Sequence, residues 1–89
     1  MNIKISKRFV KDSEKVTDKR ILTKLRQVLT SAGDAICLSD IVNISELSGH
    51  PGYYRIKFDY RYRIGLYFDG ETDEFLRIGT REDFYRRFP

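Results

Sequence analysis

The sequence predicts an α+β domain in which two N-terminal helices pack on one face of a twisted antiparallel sheet. Residues 19–32 carry apolar side chains at the spacing of a helix, whereas the segments after residue 52 alternate apolar and polar side chains with the period of a strand. The predicted order is one strand, two helices, three strands and a short closing helix. The 89 residues have the length of one domain, so we assign residues 1–89 to a single unit.

The first part of the chain is predicted to form a short strand and two helices. Ile3 and Ile5 alternate with polar neighbours, as in a half-buried strand, and Ser6 or Lys7 is expected to begin a polar helix. The second helix is the clearest element, because its apolar residues recur at intervals of three and four positions. These residues are Ile21, Leu22, Leu25, Val28, Leu29 and Ala32.

Polar and glycine residues indicate where the second helix begins and ends. Thr17 or Asp18 is expected to cap its first turn, and Gly33 to take the left-handed position just after its last turn. Residues 34–51 keep neither period, so we expect a short helix or turn that leads into the sheet. A turn is also predicted at residues 48–52, SGHPG.

Three strands and a closing helix are predicted in the remaining residues. Apolar and polar side chains alternate along residues 53–58, 60–68 and 74–79. A hairpin turn is predicted between the last two strands, at DGETDE, whose carboxylates do not have the spacing of a calcium loop. Thr80 is expected to cap a closing helix of one or two turns.

The same alternation places five cations on the face of the sheet opposite the helices. Tyr54, Ile56 and Phe58 face the helices in the first of these strands, and a shift by one residue would bury charged side chains instead. In the last strand, Leu76 and Ile78 are expected to face the core. The five cations are Arg55, Lys57, Arg61, Arg63 and Arg77, and the aromatic residues beside them are Tyr53, Tyr67 and Phe75.

The charge of the chain favours an anionic partner. The net charge is +4, and residues 1–30 alone hold nine Lys or Arg against three acids. Asp59 is the only acid between residues 53 and 68, whereas ordinary solvated surfaces mix both signs. A solvated face that serves only solubility is the alternative. We interpret the five cations as an anion site, with nucleic acid as the expected partner.

Such a site could bind RNA or cleave it. Cations bind phosphates and aromatic rings stack on unpaired bases, but cleavage also needs groups that move two protons and neutralise the phosphorane. His50 is the only histidine, so a histidine pair is excluded. A lysine can act as the base where neighbouring cations lower its pKa, and Lys57 has such neighbours. Arg63 and Arg81 are expected to stabilise the phosphorane, and Tyr85 to stack on a base or relay a proton. No metal and no cofactor is expected.

The single cysteine and the polar N-terminus indicate the compartment in which the protein is expected. Cys37 is the only cysteine, which excludes an intrachain disulfide and favours a reducing compartment. No apolar run approaches the roughly 20 residues that span a bilayer, and the N-terminus is too polar for a signal peptide. We therefore expect a cytoplasmic protein without a membrane partner.

Three segments resemble the RelE/ParE superfamily of toxins from bacterial toxin–antitoxin modules. They are ISELSGHPGYYRIKF, YRIGLYF and LRIGTREDFYRRFP. The resemblance implies two helices on a twisted antiparallel sheet, a cognate antitoxin that wraps the toxin, and contact with operator DNA only through the antitoxin complex. In the RelE branch it implies a toxin that enters the ribosome and cleaves mRNA by attack of the 2′-OH, which gives a cyclic phosphate. The positions that match the family's site are Arg55, Lys57, Arg63, Arg81 and Tyr85.

Two departures from the family pattern affect the expected activity. Arg55 stands where a lysine is familiar, so the role of base falls on Lys57. Thr80 stands where many relatives carry a histidine. A ParE-like inhibitor of DNA gyrase and a degenerate RNA- or protein-binding module therefore remain as alternatives, although the ParE branch generally lacks the catalytic set that is present here.

Overall fold

A five-stranded sheet forms the centre of the protein, and helices lie on both of its faces. The computed structural model describes residues 1–89. In chain order the elements are β1 (Asn2–Ile5), α1 (Lys7–Glu14), α2 (Lys19–Asp34), β2 (Ile44–Glu46), β3 (Tyr53–Lys57), β4 (Tyr62–Phe68), β5 (Thr72–Thr80) and α3 (Arg81–Arg87), with a short 3₁₀ turn at Leu38–Asp40. This arrangement confirms the predicted α+β class.

The sheet is mixed, whereas the sequence predicted antiparallel pairing throughout. The strand order is β1-β5-β4-β3-β2, and β1 runs parallel to β5 while the other neighbours are antiparallel. Beyond Phe75 the edge of β5 bonds to α1 instead of β1. Ser6 N–H donates to the carbonyl of Phe75, and Ile78 N–H donates to the carboxylate of Asp12. The first strand and helix together therefore cover this edge.

One continuous core joins α1 and α2 to the inner face of the sheet. The ring of Phe9 lies 5.7 Å from that of Phe75, edge to face. The helical periodicity predicted for α2 is confirmed, because its most buried residues face this core. The central residues of the core are Phe9, Ile21, Leu25, Ala32, Ile56, Ile64, Leu66, Phe75 and Ile78.

A β-bulge in β5 corrects the predicted position of Phe75. Gly65 pairs with Arg77 but Leu66 pairs with Phe75, so Leu76 is an extra residue in the ladder. The alternation therefore reverses at this point, and Phe75 is fully buried in the core rather than beside the cations. The bulge also turns Asp73 toward the interior, where the side chain is fully buried.

The starts of all three helices agree with the sequence, whereas the end of α2 differs. Ser6 and Asp18 cap α1 and α2 through their side chains, and Thr80 caps α3. The prediction that Gly33 follows α2 is wrong, because the helix continues to Asp34 without a left-handed residue. None of the helices combines the length and apolar character that crossing a membrane requires.

The C-terminal helix covers part of the face that was predicted to be solvated. Phe84 of α3 and Phe88, which directly follows this helix, are buried, with ring centroids 5.0 Å apart. Gly65 makes this packing possible, since a Cβ at this position would lie 2.7 Å from three carbons of the Phe88 ring. A second, smaller apolar layer therefore lies on the outer face of the sheet.

We expect Gly65→Ala to lower the free energy of unfolding by about 1–3 kcal/mol, because its methyl group overlaps the ring of Phe88. Urea denaturation measures the change. In the background Phe88→Ala the same substitution should cost less, since the clash is gone. Gly33→Ala is the matched control, because Gly33 is helical with open space around it and the substitution should stabilise the protein by about 0.5–1 kcal/mol. Equal costs of Gly65→Ala in both backgrounds would contradict the proposed contact.

The buried carboxylate of Asp73 has no hydrogen-bond partner within the protein. Neither of its oxygens accepts a bond, and its position in the core removes both from water. Burial therefore raises the pKa of Asp73 above its ordinary value of 3.8, although the N-terminal ammonium acts in the opposite direction. The folded state consequently favours the protonated carboxyl.

We expect Asp73→Asn to stabilise the protein by about 1–3 kcal/mol at pH 7, because it removes an unpaired buried charge. In the parent protein, folding raises the pKa of Asp73. The free energy of unfolding is therefore greatest below pH 3.8, and it falls as the pH rises through the folded-state pKa of this carboxyl. The gain should therefore vanish near pH 3. Urea titrations at both values measure it, with the exposed Glu71→Gln as control. A difference independent of pH would contradict this explanation.

Candidate nucleic-acid interface

An arginine and a tyrosine that are 30 residues apart in the chain meet on the outer face of the sheet. Arg55 on β3 donates from Nη1 to the hydroxyl of Tyr85 on α3 at 2.7 Å, and from Nη2 to the Oγ of Ser45 on β2 at 2.9 Å. Neighbouring strands and the docked helix thus hold the guanidinium at two points. This contact brings together two of the residues predicted from the sequence.

Arg63 is buried beside this pair and is bonded to the backbone. Its Nη1 donates to the carbonyl oxygens of Asp59, Tyr60 and Tyr62, at 2.9, 3.2 and 3.0 Å, and the residue is only 9% exposed. The expectation that Arg63 is an open cation on a solvated face is therefore wrong. Its side chain instead organises the turn between β3 and β4, because the carbonyl groups of that turn converge on it.

The two arginines act on the acidity of Tyr85. Burial raises the pKa of the phenol, but hydrogen bonds and positive charge from Arg55 and Arg63 outweigh it and hold the pKa below its ordinary value of 10. Neither arginine forms an ion pair with a carboxylate, so their charge is not neutralised within the protein. Tyr85 therefore loses or donates its proton more readily than a free tyrosine.

Lys57 lies beside Arg63 with its side chain in solvent. The two residues are directly paired in the β3–β4 ladder. Lys57 is exposed and forms no ion pair, and it lines an open groove with Asn43, Tyr60 and Arg63. Its ammonium is therefore free to meet a ligand at the end of the sheet.

Arg81 reaches the same end of the sheet from the first residue of α3. Its guanidinium lies 4.7 Å from the centre of the Tyr60 ring, and its backbone N–H donates to the carbonyl of Arg61 at 2.8 Å. A hydrogen bond to Glu82 and the nearby Tyr60 raise the pKa of Arg81, so the side chain stays charged. Arg61 itself is exposed in the β3–β4 turn, since β4 begins at Tyr62 and not at residue 60.

Three other residues predicted to bind RNA have partners inside the protein. Arg77 forms an ion pair with the buried Asp12 of α1 at 2.8 Å, so it is not a free cation. Tyr53 packs against Tyr67 and Phe88, with centroid distances of 4.9 and 5.8 Å. Both tyrosines therefore contribute to packing around α3, and Tyr67 also shields Gly52, where a Cβ would lie 2.7 Å from its ring.

Sequence reasoning missed three residues of this region. Ser45 holds Arg55, Asn43 lines the groove beside Lys57, and Tyr60 stacks under Arg81. Ser45 and Asn43 fall in a segment whose sequence shows no regular period, and β2 there has only three residues. Asn43 has a φ of 63°, a left-handed conformation that asparagine adopts more readily than most residues. Its carbonyl oxygen accepts a hydrogen bond from the N–H of Lys57.

The arrangement is suited to proton transfer beside a bound phosphate. Lys57 and Arg81 place an exposed ammonium and an exposed guanidinium at one end of the sheet, and Tyr85 adds a phenol of lowered pKa from the helix that Arg81 begins. The chain holds no group of three or more His, Cys, Asp or Glu residues that could bind a metal ion. The chemistry that these residues themselves support is acid–base and electrostatic.

The chain is similar to RelE toxins both in sequence and in structure. Toxin RelE3 of Methanocaldococcus jannaschii is 31% identical over 90 residues, and the match covers 100% of both chains. The RelE chain of the RelB–RelE antitoxin–toxin complex from Methanococcus jannaschii is similar in structure, with a TM-score of 0.82, 29% identity and coverage of 97% of this chain and 99% of that one. No family model matches the chain.

A more distant neighbour shares the fold. It belongs to the DinJ–YafQ toxin–antitoxin complex of E. coli, with a TM-score of 0.74, 20% identity and coverage of 94% of this chain and 96% of that one. The fold is thus common to chains that have diverged widely in sequence.

We expect Arg55→Gln to raise the pKa of Tyr85 toward its ordinary value, because the phenolate loses both a hydrogen bond and a neighbouring positive charge. Titration of ¹³C-labelled tyrosine by NMR measures the shift, with Tyr85→Phe to assign the signal. Arg86→Gln on the same helix is the matched control and should leave the pKa unchanged. An unchanged pKa in Arg55→Gln would show that the contact does not acidify Tyr85.

Proposed function

Because the chain belongs to the RelE family of toxins, we propose that it is the toxin of a type II toxin–antitoxin module and inhibits translation by cleaving mRNA at the ribosome. The observation that carries this proposal is the 2.7 Å hydrogen bond by which Arg55 holds the hydroxyl of Tyr85, two residues along β3 from the exposed Lys57. A domain that only bound RNA would not need such a phenol.

In the proposed reaction the 2′-oxygen attacks the adjacent phosphorus and the bond to the 5′-oxygen breaks. The side-chain nitrogen of Lys57 takes the proton of the 2′-OH, and Tyr85 donates a proton to the departing 5′-oxygen. Arg81 neutralises the charge that develops on the phosphorane. The products are a 2′,3′-cyclic phosphate and a 5′-hydroxyl, and the two proton transfers balance.

Arg55 and Arg63 are assigned supporting roles in this mechanism. Arg63 is bonded to three carbonyl oxygens, so its proposed contribution is electrostatic and structural rather than a direct bond to phosphate. Arg55 orients Tyr85 and is itself oriented by Ser45. Thr80, which stands where many relatives carry a histidine, caps α3, and Tyr85 supplies the proton that such a histidine could provide.

The proposed protein partner is a cognate antitoxin. The relative of known structure was crystallised as an antitoxin–toxin complex. Residues 1–30 carry nine basic against three acidic residues, and most of these cations lie exposed on β1, α1 and α2. An antitoxin with acidic segments would complement this surface, and contact with operator DNA would arise through the complex.

A non-catalytic inhibitor, of gyrase or another target, is the second candidate. It is favoured by the fact that Arg63 and Arg77 are bonded within the protein, which leaves fewer free cations than the sequence predicted. Inhibition of DNA supercoiling while mRNA stays intact would select this candidate over the nuclease. A degenerate binding module is the remaining alternative, and expression without growth arrest would select it.

We expect Lys57→Ala and Arg81→Ala each to reduce mRNA cleavage on purified ribosomes by about 100-fold or more, since each removes a group that acts in the transition state. Primer extension measures the cleavage rate, and analysis of the fragment ends tests for the cyclic phosphate. Arg86→Ala, which removes a like charge from α3, is the matched control. Folded variants that cleave at the parent's rate would contradict the proposed site.

A further inference from the structure

We propose that Tyr60, backed by Arg81, is a platform on which one unpaired RNA base stacks next to the scissile phosphate. The inference rests on the proposed function for its RNA substrate and adds a binding residue to that site. Tyr60 is 74% exposed in the turn between β3 and β4, although aromatic rings of this size are usually buried. It takes no part in the core.

The turn that carries Tyr60 is held rigidly. The buried guanidinium of Arg63 bonds to the carbonyl oxygens of Asp59 and Tyr60, and the Asp59 carboxylate accepts bonds from Lys24 of α2 and from Arg61 N–H. Burying a charged guanidinium is costly, and here its charge is directed at backbone carbonyl oxygens. These bonds hold the backbone from which the exposed ring of Tyr60 projects.

Arg81 contacts one face of the Tyr60 ring. Its guanidinium lies 4.7 Å from the ring centre, and the large exposed fraction of Tyr60 leaves the ring otherwise open to solvent. A cation on one face of a tyrosine leaves the other face free for a base, whose π system stacks without regard to sequence. The same arginine is the group assigned to the phosphorane, so the base would lie close to the cleaved bond.

The surroundings of Tyr60 favour RNA over a partner protein. The groove beside the ring is lined by Lys57 and Arg63, and the exposed Arg61 lies in the same turn. The two nearby acids are paired, Asp59 with Lys24 and Glu82 with Arg81. An aromatic ring beside two exposed cations without an ion pair, Lys57 and Arg61, fits a single strand that binds through its base and its phosphates together.

The test is binding of a 2′-O-methyl RNA hexanucleotide, which this chemistry cannot cleave because its 2′-oxygen carries no proton. A 2-aminopurine base is placed at each position in turn, since stacking quenches its fluorescence. We expect Tyr60→Ala to weaken binding by about 5- to 100-fold and to abolish the quenching at one position, whereas Tyr60→Phe keeps both. Ile36→Ala is the control, because Ile36 is 91% exposed and lies outside this site.

The dependence on salt separates stacking from charge. Tyr60→Ala should leave the slope of log K against log salt unchanged, whereas Arg61→Ala, which removes an exposed cation of the same turn, should reduce it by about 0.7, the value for one phosphate contact on a single strand. Arg81→Lys keeps the charge and should preserve the slope while it weakens the quenching. A changed slope in Tyr60→Ala would overturn the assignment of stacking.

Two outcomes would overturn the inference and leave the proposed function standing. One is a Tyr60→Ala variant that binds and quenches like the parent, while Lys57→Ala still abolishes cleavage. The other is a variant whose affinity for RNA is unchanged but whose affinity for the antitoxin falls, which would assign the ring to the protein partner. Failure of the proposed function appears separately, as cleavage that persists in Lys57→Ala and Arg81→Ala.

Discussion

The candidate site depends on the burial of one guanidinium, that of Arg63. Its three bonds to carbonyl oxygens close the β3–β4 turn, and its charge, together with that of Arg55, lowers the pKa of Tyr85. No carboxylate neutralises it, so the desolvation of this charge is offset by backbone dipoles alone within the protein. A paired carboxylate would cancel the positive potential that lowers the pKa of Tyr85.

The docking of α3 is the second constraint, because it brings Arg81 and Tyr85 to the sheet. Phe84 and Phe88 attach the helix to the outer face, and Gly65 provides the space for a ring. The outer face therefore has two parts, an apolar part under α3 and a charged end near Lys57. Residues that would otherwise be solvated, such as Tyr53, are recruited into packing.

Sequence reasoning predicted the elements well where one physical rule dominated. The apolar periodicity of α2, the alternation along β3 and β4 and the cap at Thr80 were predicted correctly, because each depends on neighbours within a few residues. The start of α1 at Ser6 or Lys7 and the cap of α2 at Thr17 or Asp18 were predicted as alternatives, of which Ser6 and Asp18 are the caps in the structure. The errors arose where distant contacts decide. The bulge at Leu76 places Phe75 on the face opposite to the predicted one. The parallel pairing of β1 depends on β5, which is the last strand in the sequence.

The sequence by itself determined the α+β class, the excess of basic residues and the residue types of the site, since composition and short periodicities carry that information. Only the tertiary structure decided what each cation contacts. Lys57 reaches solvent without an ion pair, and Arg81 is exposed but pairs with Glu82. Arg77 pairs with Asp12, and the buried Arg63 bonds to carbonyl oxygens. The physical reason is that the state of a charge depends on what surrounds it in space. The alternation along a strand predicts the face of the sheet from which an arginine side chain projects, but it does not predict which helix or turn contacts that side chain.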